Sequence, residues 1–594
     1  MKRPTILLTL SYVTGLASAL IVLEKLYLIA ALVIILYILL VWLNESTKVL
    51  ILCGVFILLG SINLFNYYEI SYASASNTTV RVLEDKNTYF KVRHKGKLYV
   101  LLKDEELNKY TIEEGTLIKG QLLINENIEL YKGILGTIDI TSSLELTKDF
   151  VSYLYKGRVW FYKEFSSVLG KERAGVVLGL CFGSTKYIED SVVNSFKGLG
   201  IVHVISVSGF HIMLLYSLFQ SLIGKKGALI LVFFFVIFTG AQAATLRAFV
   251  MLFVLSMSQV FHKNYDSMTA LCLSALIILV SKPYLITDLG FNLSCISTLG
   301  IIIFNKKINR ALYRLPDKIR ASLSLTISSQ LIVFPYAGLV IRTFSTGLVF
   351  GNLIIIPIYT AIIYVSLLSL IFIKIPFAFF IINQINILLF KISDSWFYLL
   401  SRLNLSEVAV SEEIVLMYTT LFITFIFLRA NKIRYRLLPI FLLPAIMIFN
   451  YRFIPSIEVI DMGNTRYIEA SYKRERYILT MGRGDSLREK LRNYPGNKKV
   501  MSVKNNKYIL KLGYTSINIK PYKPGSNTVI LKIWPKDSDA STVHYDIINM
   551  DKEETSYDFY RREKLISYTA LENHIIIMSK DGGAQVVRYR QTRR

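Results

Sequence analysis

The sequence predicts a polytopic α-helical membrane protein with an exterior small β-barrel (OB-like) domain and a short, mainly β, C-terminal soluble domain. Hydrophobic residues make up 53% of its 594 residues, more than soluble globular proteins usually contain. Apolar stretches recur as far as about residue 450, and many reach the ~20 helical residues that cross a hydrocarbon core of ~30 Å. Two segments, 67–150 and 451–594, instead alternate short apolar runs with charged residues.

Residues 1–66 are expected to form the N-terminal transmembrane helices. Lys2 and Arg3 precede the first apolar stretch as in a signal peptide, but a second stretch follows within a few residues, so an uncleaved helix is expected. Basic residues favour the cytoplasmic side, and an odd number of spans then places residues 67–150 outside the cytoplasm. The helices are predicted near residues 5–23, 26–43 and 48–65.

The exterior segment 67–150 has the pattern of a small β domain. Short runs of β-branched and aromatic residues are separated by glycine or asparagine, which predicts four to six strands. YFKVRH followed by KGKLYVLL predicts a hairpin. An OB-type barrel fits the length, and such barrels often bind single-stranded nucleic acid. A structural spacer that binds nothing is the alternative.

Residues 151–450 are expected to form the main membrane domain. Its most basic segments, 305–321 and 429–436, are predicted to be cytoplasmic. Leu437–Phe449 is predicted as a last short span, which places the C-terminal domain, 451–594, outside.

The net charge points to an acidic partner. Lys and Arg outnumber Asp and Glu by 68 to 42, a net charge of +26. Part of this excess is the bias of cytoplasmic loops, and the rest suits membrane lipids or nucleic acid without distinguishing them. None of the four cysteines has CxxC spacing, so they are expected to be buried small apolar residues. They are Cys53, Cys181, Cys272 and Cys295.

Polar side chains interrupt the apolar segment HVISVSGFHIMLL, residues 203–215. Such groups are costly in a membrane and usually face a bundle interior or a wet cavity. Non-helical backbone is tolerated there only where protein or water covers it. The pattern predicts a broken helix that lines a polar passage; close helix packing through serine and glycine is the alternative. The candidate residues are His203, Ser206, Ser208, Gly209 and His211.

Four further polar residues are candidates for the same passage. Arg247 opens the apolar span RAFVMLFVLSM, and Asp288, Asn292 and Ser294 lie in DLGFNLSCISTLG. Arginine at mid-depth costs about 2.5–3.5 kcal/mol on insertion scales. Two explanations stay open: a structural ion pair between Arg247 and Asp288, or a path for a polyanion in which Arg247 attracts phosphate and Asp288 orients it.

Motifs for hydrolytic, metal-dependent or nucleotide-driven chemistry are missing from the sequence. The membrane region has neither GxSxG nor HExxH, and the chain has no GxxxxGK[ST]. No catalytic residue, metal site or cofactor is therefore predicted. An intramembrane hydrolase that uses Ser208 and His211 is one alternative, and a permease for small solutes or lipids is another.

Several blocks resemble, in order and spacing, the membrane domain of the ComEC family over roughly residues 170–370. They include VVLGLCFG, SFKGLGIVHVISVSGFH, LRAFVM, KPYLITDLGFNLSCISTLGI and FSTGLVFGNLIIIPIY. The resemblance implies a bacterial cytoplasmic (inner) membrane channel that transports single-stranded DNA during natural transformation. It also implies that residues 203–211 form the competence motif, supported by Arg247, Asp288 and Asn292. A separate DNA receptor and a cytoplasmic helicase or ATPase are then expected partners, and a homo-oligomer is left open.

Residues 451–594 resemble a reduced metallo-β-lactamase-like domain. IEVIDMGNTRYIEASYKRERYILTMGRGD is similar to its opening strands, with DMG in place of the usual DVGQGD. The dinuclear metal motif HxHxDH is absent, and only His544 and His574 occur after residue 262. No nuclease activity is therefore expected. The basic excess suits contact with nucleic acid, and a solvated surface explains it equally well.

Overall fold

A computed structural model describes residues 4–69, 77–86, 89–103, 112–140, 145–205, 207–403, 407–410 and 412–429, together with strands of the C-terminal region between residues 452 and 588. The chain divides into two compact units. The first comprises Met1–Ile332 and Leu348–Asn404, and the second comprises Val333–Gly347 and Leu405–Arg594.

The first unit begins with three apolar helices, which lie where the sequence predicts them. α1 and α3 pack closely because two glycines leave room for the opposite backbone. A side chain on Gly15 would overlap the carbonyl group of Ile57, and one on Gly60 would overlap that of Tyr12. The helices are α1 (Pro4–Leu23), α2 (Tyr27–Asn44) and α3 (Thr47–Tyr68).

A six-stranded sheet follows these helices. Its strands are β1 (Asn77–Asp85), β2 (Tyr89–His94), β3 (Lys97–Leu102), β4 (Leu117–Glu129), β5 (Ile134–Ile140) and β6 (Glu145–Thr147). The strand order is β1-β2-β3-β5-β4-β6, and β1 also pairs with β4, so the first five strands close on themselves. The predicted hairpin is β2–β3, and Lys95 and Gly96 turn it with φ of 45° and 83°.

The sheet, here called the β domain, is fixed to the ends of α1 and α3. The hydroxyl group of Tyr67 donates to the carbonyl oxygen of Gly133 at 2.7 Å. The neighbouring Tyr68 donates to the carbonyl oxygen of Leu130 at 2.5 Å. The valines and isoleucines that face inward from the strands join one apolar core with residues of α1 and α3. The β domain therefore lies at the end of the helices where α1 and α3 finish.

The membrane domain of the first unit consists mainly of helices that are interrupted at glycines and polar residues. They are α4 (Phe150–Leu169), α5 (Lys171–Phe182), α6 (Asp190–Gly198), α7 (Val202–Ile205), α8 (Gly209–Phe238), α9 (Ala243–Val260), α10 (Ser267–Ser281), α11 (Leu289–Ala311), α12 (Asp317–Val340), α13 (Leu348–Phe350), α14 (Ile356–Ile371) and α15 (Pro376–Ser401). The final turns of α12 belong to the second unit. The basic segment 305–321 forms the end of α11 and the start of α12.

Helix α8 is folded back on itself at Gly224, whose φ of 75° and ψ of 173° are not helical. Gly209, at its start, lies against Ala248 near the start of α9. Lys225 Nζ, just after the break, donates at 2.9 Å to Gln259 Oε1 near the end of α9. The two halves therefore run in opposite directions beside α9, and each is only about 22 Å long. Both ends of α8 therefore lie at the end of the bundle where α9 begins.

Nine helices in the described part of the chain are long and apolar enough to cross a membrane, which makes this a multi-pass membrane protein. α8 is counted among them by its length, although Gly224 divides it. The predicted last span, Leu437–Phe449, lies outside the described residues, as do residues 430–436. Of the cysteines, two are buried, Cys53 and Cys181, and two are half-buried, Cys272 and Cys295.

The described strands of the second unit form three sheets. A short pair, β7 (Thr343–Ser345) and β8 (Glu407–Ala409), precedes the apolar helix α16 (Glu412–Arg429). The next sheet has the order β12-β11-β10-β9-β18-β19, and the last has the order β13-β14-β15-β16-β17. Their strands are β9 (Arg452–Met462), β10 (Thr465–Lys473), β11 (Glu475–Thr480), β12 (Asn497–Ser502), β13 (Tyr508–Leu512), β14 (Thr515–Pro521), β15 (Thr528–Pro535), β16 (His544–Asn549), β17 (Ile566–Ser567), β18 (His574–Met578) and β19 (Ala584–Arg588).

A salt bridge joins the β domain to the start of α4 and gives a first prediction. Asp149 caps α4 by accepting from the Ser152 backbone N–H at 3.1 Å, and it pairs with Arg81 of β1. The hydrogen bond from Arg81 lowers the pKa of Asp149 from 3.8 to about 2. Ionised Asp149 thus stabilises the fold above pH 3.8, and this contribution is lost as the pH falls towards 2.

Asp149→Asn is expected to lower the free energy of unfolding by about 1 kcal/mol at pH 7, because the exchange keeps a capping oxygen but removes the ion pair. The difference from the wild type should shrink at pH 2.5, as measured by thermal unfolding of the full chain in detergent. Glu145→Gln, which removes a more exposed pair with Lys119, should change little at either pH. An equal loss for Asp149→Asn at both pH values would contradict the assignment.

Candidate polar site at the β-domain end of the membrane helices

The first turns of α9 and α11 lie at the end of the bundle that carries the β domain. Thr287, just before α11, donates from Oγ1 to the carbonyl oxygen of Tyr131 in the β domain at 3.0 Å. Lys282 Nζ lies 3.5 Å from the carbonyl oxygen of Ala241, two residues before α9. Polar residues near these helix starts therefore lie below the β domain rather than at mid-depth in the bundle.

The chain is not continuously helical between residues 198 and 209, where the sequence predicts a broken helix. α6 ends at Gly198, α7 has only four residues, and α8 begins at Gly209. Gly200 turns the chain between α6 and α7 with a φ of 65°, a conformation that L side chains rarely adopt. After this break, α8 begins beside Arg247 and Ala248, near the start of α9.

His203 precedes the group that forms at the start of α8 and interacts electrostatically with His211. The side chain of His203 is exposed, and it hydrogen-bonds the backbone of Gly200. Ser206 lies outside the described residues. Within the predicted motif, the structure brings together Ser208, Gly209 and His211.

Ser208 and His211 bond to each other across the first turn of α8. The backbone N–H of Ser208 donates to His211 Nδ1 at 3.1 Å, and Ser208 Oγ lies 2.9 Å from the same nitrogen. Because Nδ1 accepts a hydrogen bond, the neutral imidazole carries its proton on Nε2. The ring is 2% exposed, and Nε2 has no hydrogen-bond partner among the described residues. A buried donor is thus available beside the helix start.

Arg247 is a buried cation at the same place. Its side chain is 7% exposed, Nε donates to Ser294 Oγ at 2.9 Å, and Nη1 lies 3.4 Å from Met251 Sδ. Nη2 lies against Gly209, 3.0 Å from where a Cβ atom of residue 209 would be. Among the described residues no carboxylate forms an ion pair with Arg247.

Asp288 and Asn292 have structural roles, and the ion pair that the sequence left open between Arg247 and Asp288 is not formed. The Asp288 carboxylate caps α11 by accepting from the Phe291 backbone N–H at 2.7 Å. Asn292 Nδ2 donates to the carbonyl oxygen of Ile286 at 2.8 Å. Ser294, one and a half turns further along α11, is the residue that contacts Arg247. The two earlier residues fix the start of the helix that presents it.

Polar residues continue along one face of α11 from Ser294 towards its C-terminal end. This polar stripe was not predicted from the sequence. Thr298, Asn305 and Asn309 follow Ser294 at 4, 11 and 15 residues, so all four lie on one face over about 22 Å. Asn309 Nδ2 donates to Ser324 Oγ of α12 at 3.2 Å. Asn305 Oδ1 is buried and has no hydrogen-bond partner among the described residues. The spacing was visible in the sequence, but the prediction stopped at the glycine-broken part of the segment.

A second buried polar group joins α14 and α15. Asn386 Nδ2 donates to Ser366 Oγ at 3.2 Å and to Asn383 Oδ1 at 2.9 Å. All three side chains are completely buried. Amide and hydroxyl groups of this kind hold membrane helices together by bonding across them, and these residues have that role here.

Long apolar helices, buried polar groups at their β-domain end and an attached sheet define a multi-pass membrane protein with a polar interior site. Residues 180–433 match the family described as Competence protein. That range contains the whole site described above, from His203 to Asn309. This match and the similarity to a ComE operon protein confirm the resemblance of the membrane domain to competence proteins of the ComEC family.

Two curated proteins are similar to parts of the chain. ComE operon protein 3 of Bacillus subtilis is 30% identical over 248 residues, which are 39% of this chain and 31% of that protein. Uncharacterized protein MG316 of Mycoplasma genitalium is 30% identical over 145 residues, which are 23% of this chain and 37% of that protein. The chain thus spans about a third of the length of these relatives. No solved structure matches it.

The lack of a counter-ion predicts an unusual response to removing Arg247. Arg247→Leu removes a buried charge, so the free energy of unfolding should stay the same or rise, by up to about 3 kcal/mol. Thermal unfolding in detergent measures this. Arg158→Leu is the contrast, because Arg158 is equally buried but donates to the Phe238 carbonyl oxygen and stacks on Tyr155. It should cost about 1–3 kcal/mol. A loss for Arg247→Leu as large as for Arg158→Leu would show that Arg247 is structural.

Proposed function

We propose that this protein is an inner-membrane channel that carries single-stranded DNA into the cytoplasm during natural transformation. The match of its membrane domain to the competence protein family supports a role in DNA uptake. The observation that carries the channel proposal is the polar stripe of α11, which begins at Ser294 beside Arg247 and continues for about 22 Å.

The physical reason lies in the cost of polar groups in a membrane. A hydrocarbon-facing helix would bury the amide oxygen of Asn305 and the imidazole nitrogen of His211 without partners, at a cost of about 1–3 kcal/mol each. Water, or a hydrated strand of nucleic acid, removes this cost if it runs along the stripe. A polyanion also needs positive charge at the entrance, and Arg247 supplies it at the β-domain end.

In this proposal the β domain receives the incoming single-stranded DNA. We infer that it is an OB-like barrel, since its strand order closes through the β1–β4 pairing. Barrels of this type bind single strands on their surface through basic and aromatic residues. Strand degradation and the driving force are assigned to other proteins, a separate DNA receptor with its nuclease and a cytoplasmic helicase or ATPase, because the sequence has neither HxHxDH nor a phosphate-binding GxxxxGK[ST] loop.

The channel proposal predicts which face of α11 meets water. With the four native cysteines replaced, Cys substituted for Thr298 or Asn305 should react with a membrane-impermeant maleimide added to right-side-out vesicles. Ile303→Cys lies about 180° around the helix from Ser294 and should not react, because lipid covers that face. Labelling is read by the mass shift of the purified chain. If neither Thr298→Cys nor Asn305→Cys reacts, the stripe is dry and the channel proposal fails.

Two further variants test the entrance of the path. His211→Leu and Arg247→Leu should reduce uptake of fluorescent DNA by at least tenfold, while the amount of protein in the membrane is unchanged. His262→Leu and Arg310→Leu change exposed residues of the same types and should transport like the wild type. Normal uptake by both entrance variants would mean that these residues do not line the path.

An intramembrane hydrolase is the second candidate, because Ser208 Oγ lies 2.9 Å from His211 Nδ1. A general base must be free to accept the serine proton, but this nitrogen also accepts from the Ser208 backbone N–H. We therefore interpret the contact as a helix cap. A serine-reactive probe that labels the wild type but not Ser208→Ala would favour the hydrolase, and uptake of nucleotides or lipids in place of oligonucleotides would favour a permease.

A further inference from the structure

The N-terminal end of α8 is electropositive, and among the described residues no negatively charged group forms an ion pair there. The first half of α8 is 15 residues long, and the backbone N–H groups of Gly209 and Phe210 have no acceptor among the described residues. A helix of this length carries about half a positive charge at its N-terminal end. The guanidinium group of Arg247 adds a full charge, and its Nη2 lies against Gly209.

This arrangement is unfavourable unless something is bound there. Positive side chains stabilise the C-terminal ends of helices and destabilise the N-terminal ends. Arg247 is 7% exposed, so water screens its repulsion with the helix only weakly. Ser294 Oγ and Met251 Sδ hold Nε and Nη1 in place but bring no charge. An anion between Nη2 and the free N–H groups would balance both positive features.

We propose that one phosphate group of a nucleic-acid strand binds here, held by Arg247 Nη2 and by the backbone N–H groups of Gly209 and Phe210. This inference rests on the proposed function and names a contact within it. Arginine and helix N-termini both commonly bind phosphate in proteins, and here the two lie side by side. The site lies below the β domain, where an entering strand would first reach the membrane helices.

Gly209 is part of the site because it lacks a side chain. A Cβ atom there would stand 3.0 Å from Arg247 Nη2 and 3.2 Å from the Ala248 side chain. It would push the guanidinium group away and cover the N–H groups that the phosphate needs. Gly209→Ala therefore removes the site without changing the charge of the protein, which Arg247→Gln cannot do.

The experiment measures binding of a fluorescent 20-nucleotide oligothymidylate to the purified full chain in dodecyl maltoside, by anisotropy at several salt concentrations. Arg247→Gln and Gly209→Ala should each weaken binding about tenfold, the effect of losing one charge-assisted contact. For Arg247→Gln the slope of log K against log salt should fall by about 0.7, the value for one phosphate contact on a single strand. Gly54→Ala, a helical glycine with open space around it, is the control and should bind like the wild type.

Unchanged affinity and slope in both variants would overturn the proposal, provided that thermal unfolding shows that they are folded. The phosphate of a lipid headgroup is the competing occupant. Native mass spectrometry separates the two sources: a phospholipid that stays with the wild type, is lost from Arg247→Gln and is not displaced by the oligonucleotide would assign the site to lipid and overturn the nucleic-acid assignment.

This test and the labelling of α11 can fail separately. If the stripe reacts with maleimide but the Arg247 and Gly209 variants bind DNA normally, the channel proposal survives and the phosphate site does not. If the stripe is dry while both variants lose binding, the chain holds a phosphate at the β-domain end without conducting the strand past α11.

Discussion

The hydrocarbon core of a membrane offers no hydrogen bonds, and the arrangement of this protein follows from that constraint. Each polar group in the helices must find a partner within the protein or face a polar interior. Most find partners: Asn383 bonds through both its amide nitrogen and its amide oxygen, and Asp288 caps α11. Arg247, His211 and Asn305 keep atoms without a partner among the described residues. Arg247 and His211 lie at the start of α8, and Asn305 lies three turns beyond Ser294 on the same face of α11.

Two interruptions of the helical structure determine where α8 begins and how long its halves are. A straight helix has its free N–H groups only at its ends, which normally lie at the membrane surface. The break before Gly209 and the reversal at Gly224 limit the first half of α8 to about 22 Å, and this half begins beside Arg247 and Ala248, near the start of α9. The positive end of this short helix therefore lies beside Arg247, at the end of the bundle that carries the β domain.

Polar residues that are close in sequence have different roles in the fold. Asp288 and Asn292 bond to the backbone at the start of α11, while Ser294 faces Arg247 across the interface with α9. Residues at a helix start can bond to backbone groups that the helix leaves unpaired. Ser294 lies one and a half turns into α11, where it cannot reach such groups. The first two fix the position of the helix, and the third holds the guanidinium group in its orientation.

The sequence alone determined the membrane class, the three N-terminal helices, the β2–β3 hairpin and the interruption around residues 198–209, because these depend on local hydrophobicity, turn residues and spacing. It also identified Ser208, Gly209, His211, Arg247 and Ser294 as a candidate group. Only the tertiary structure decided that Arg247 meets Ser294 rather than Asp288, that α8 reverses at Gly224, and that the polar face of α11 extends to Asn309. Those facts depend on which helices are neighbours and on how they are rotated, and contacts between residues distant in the chain set both.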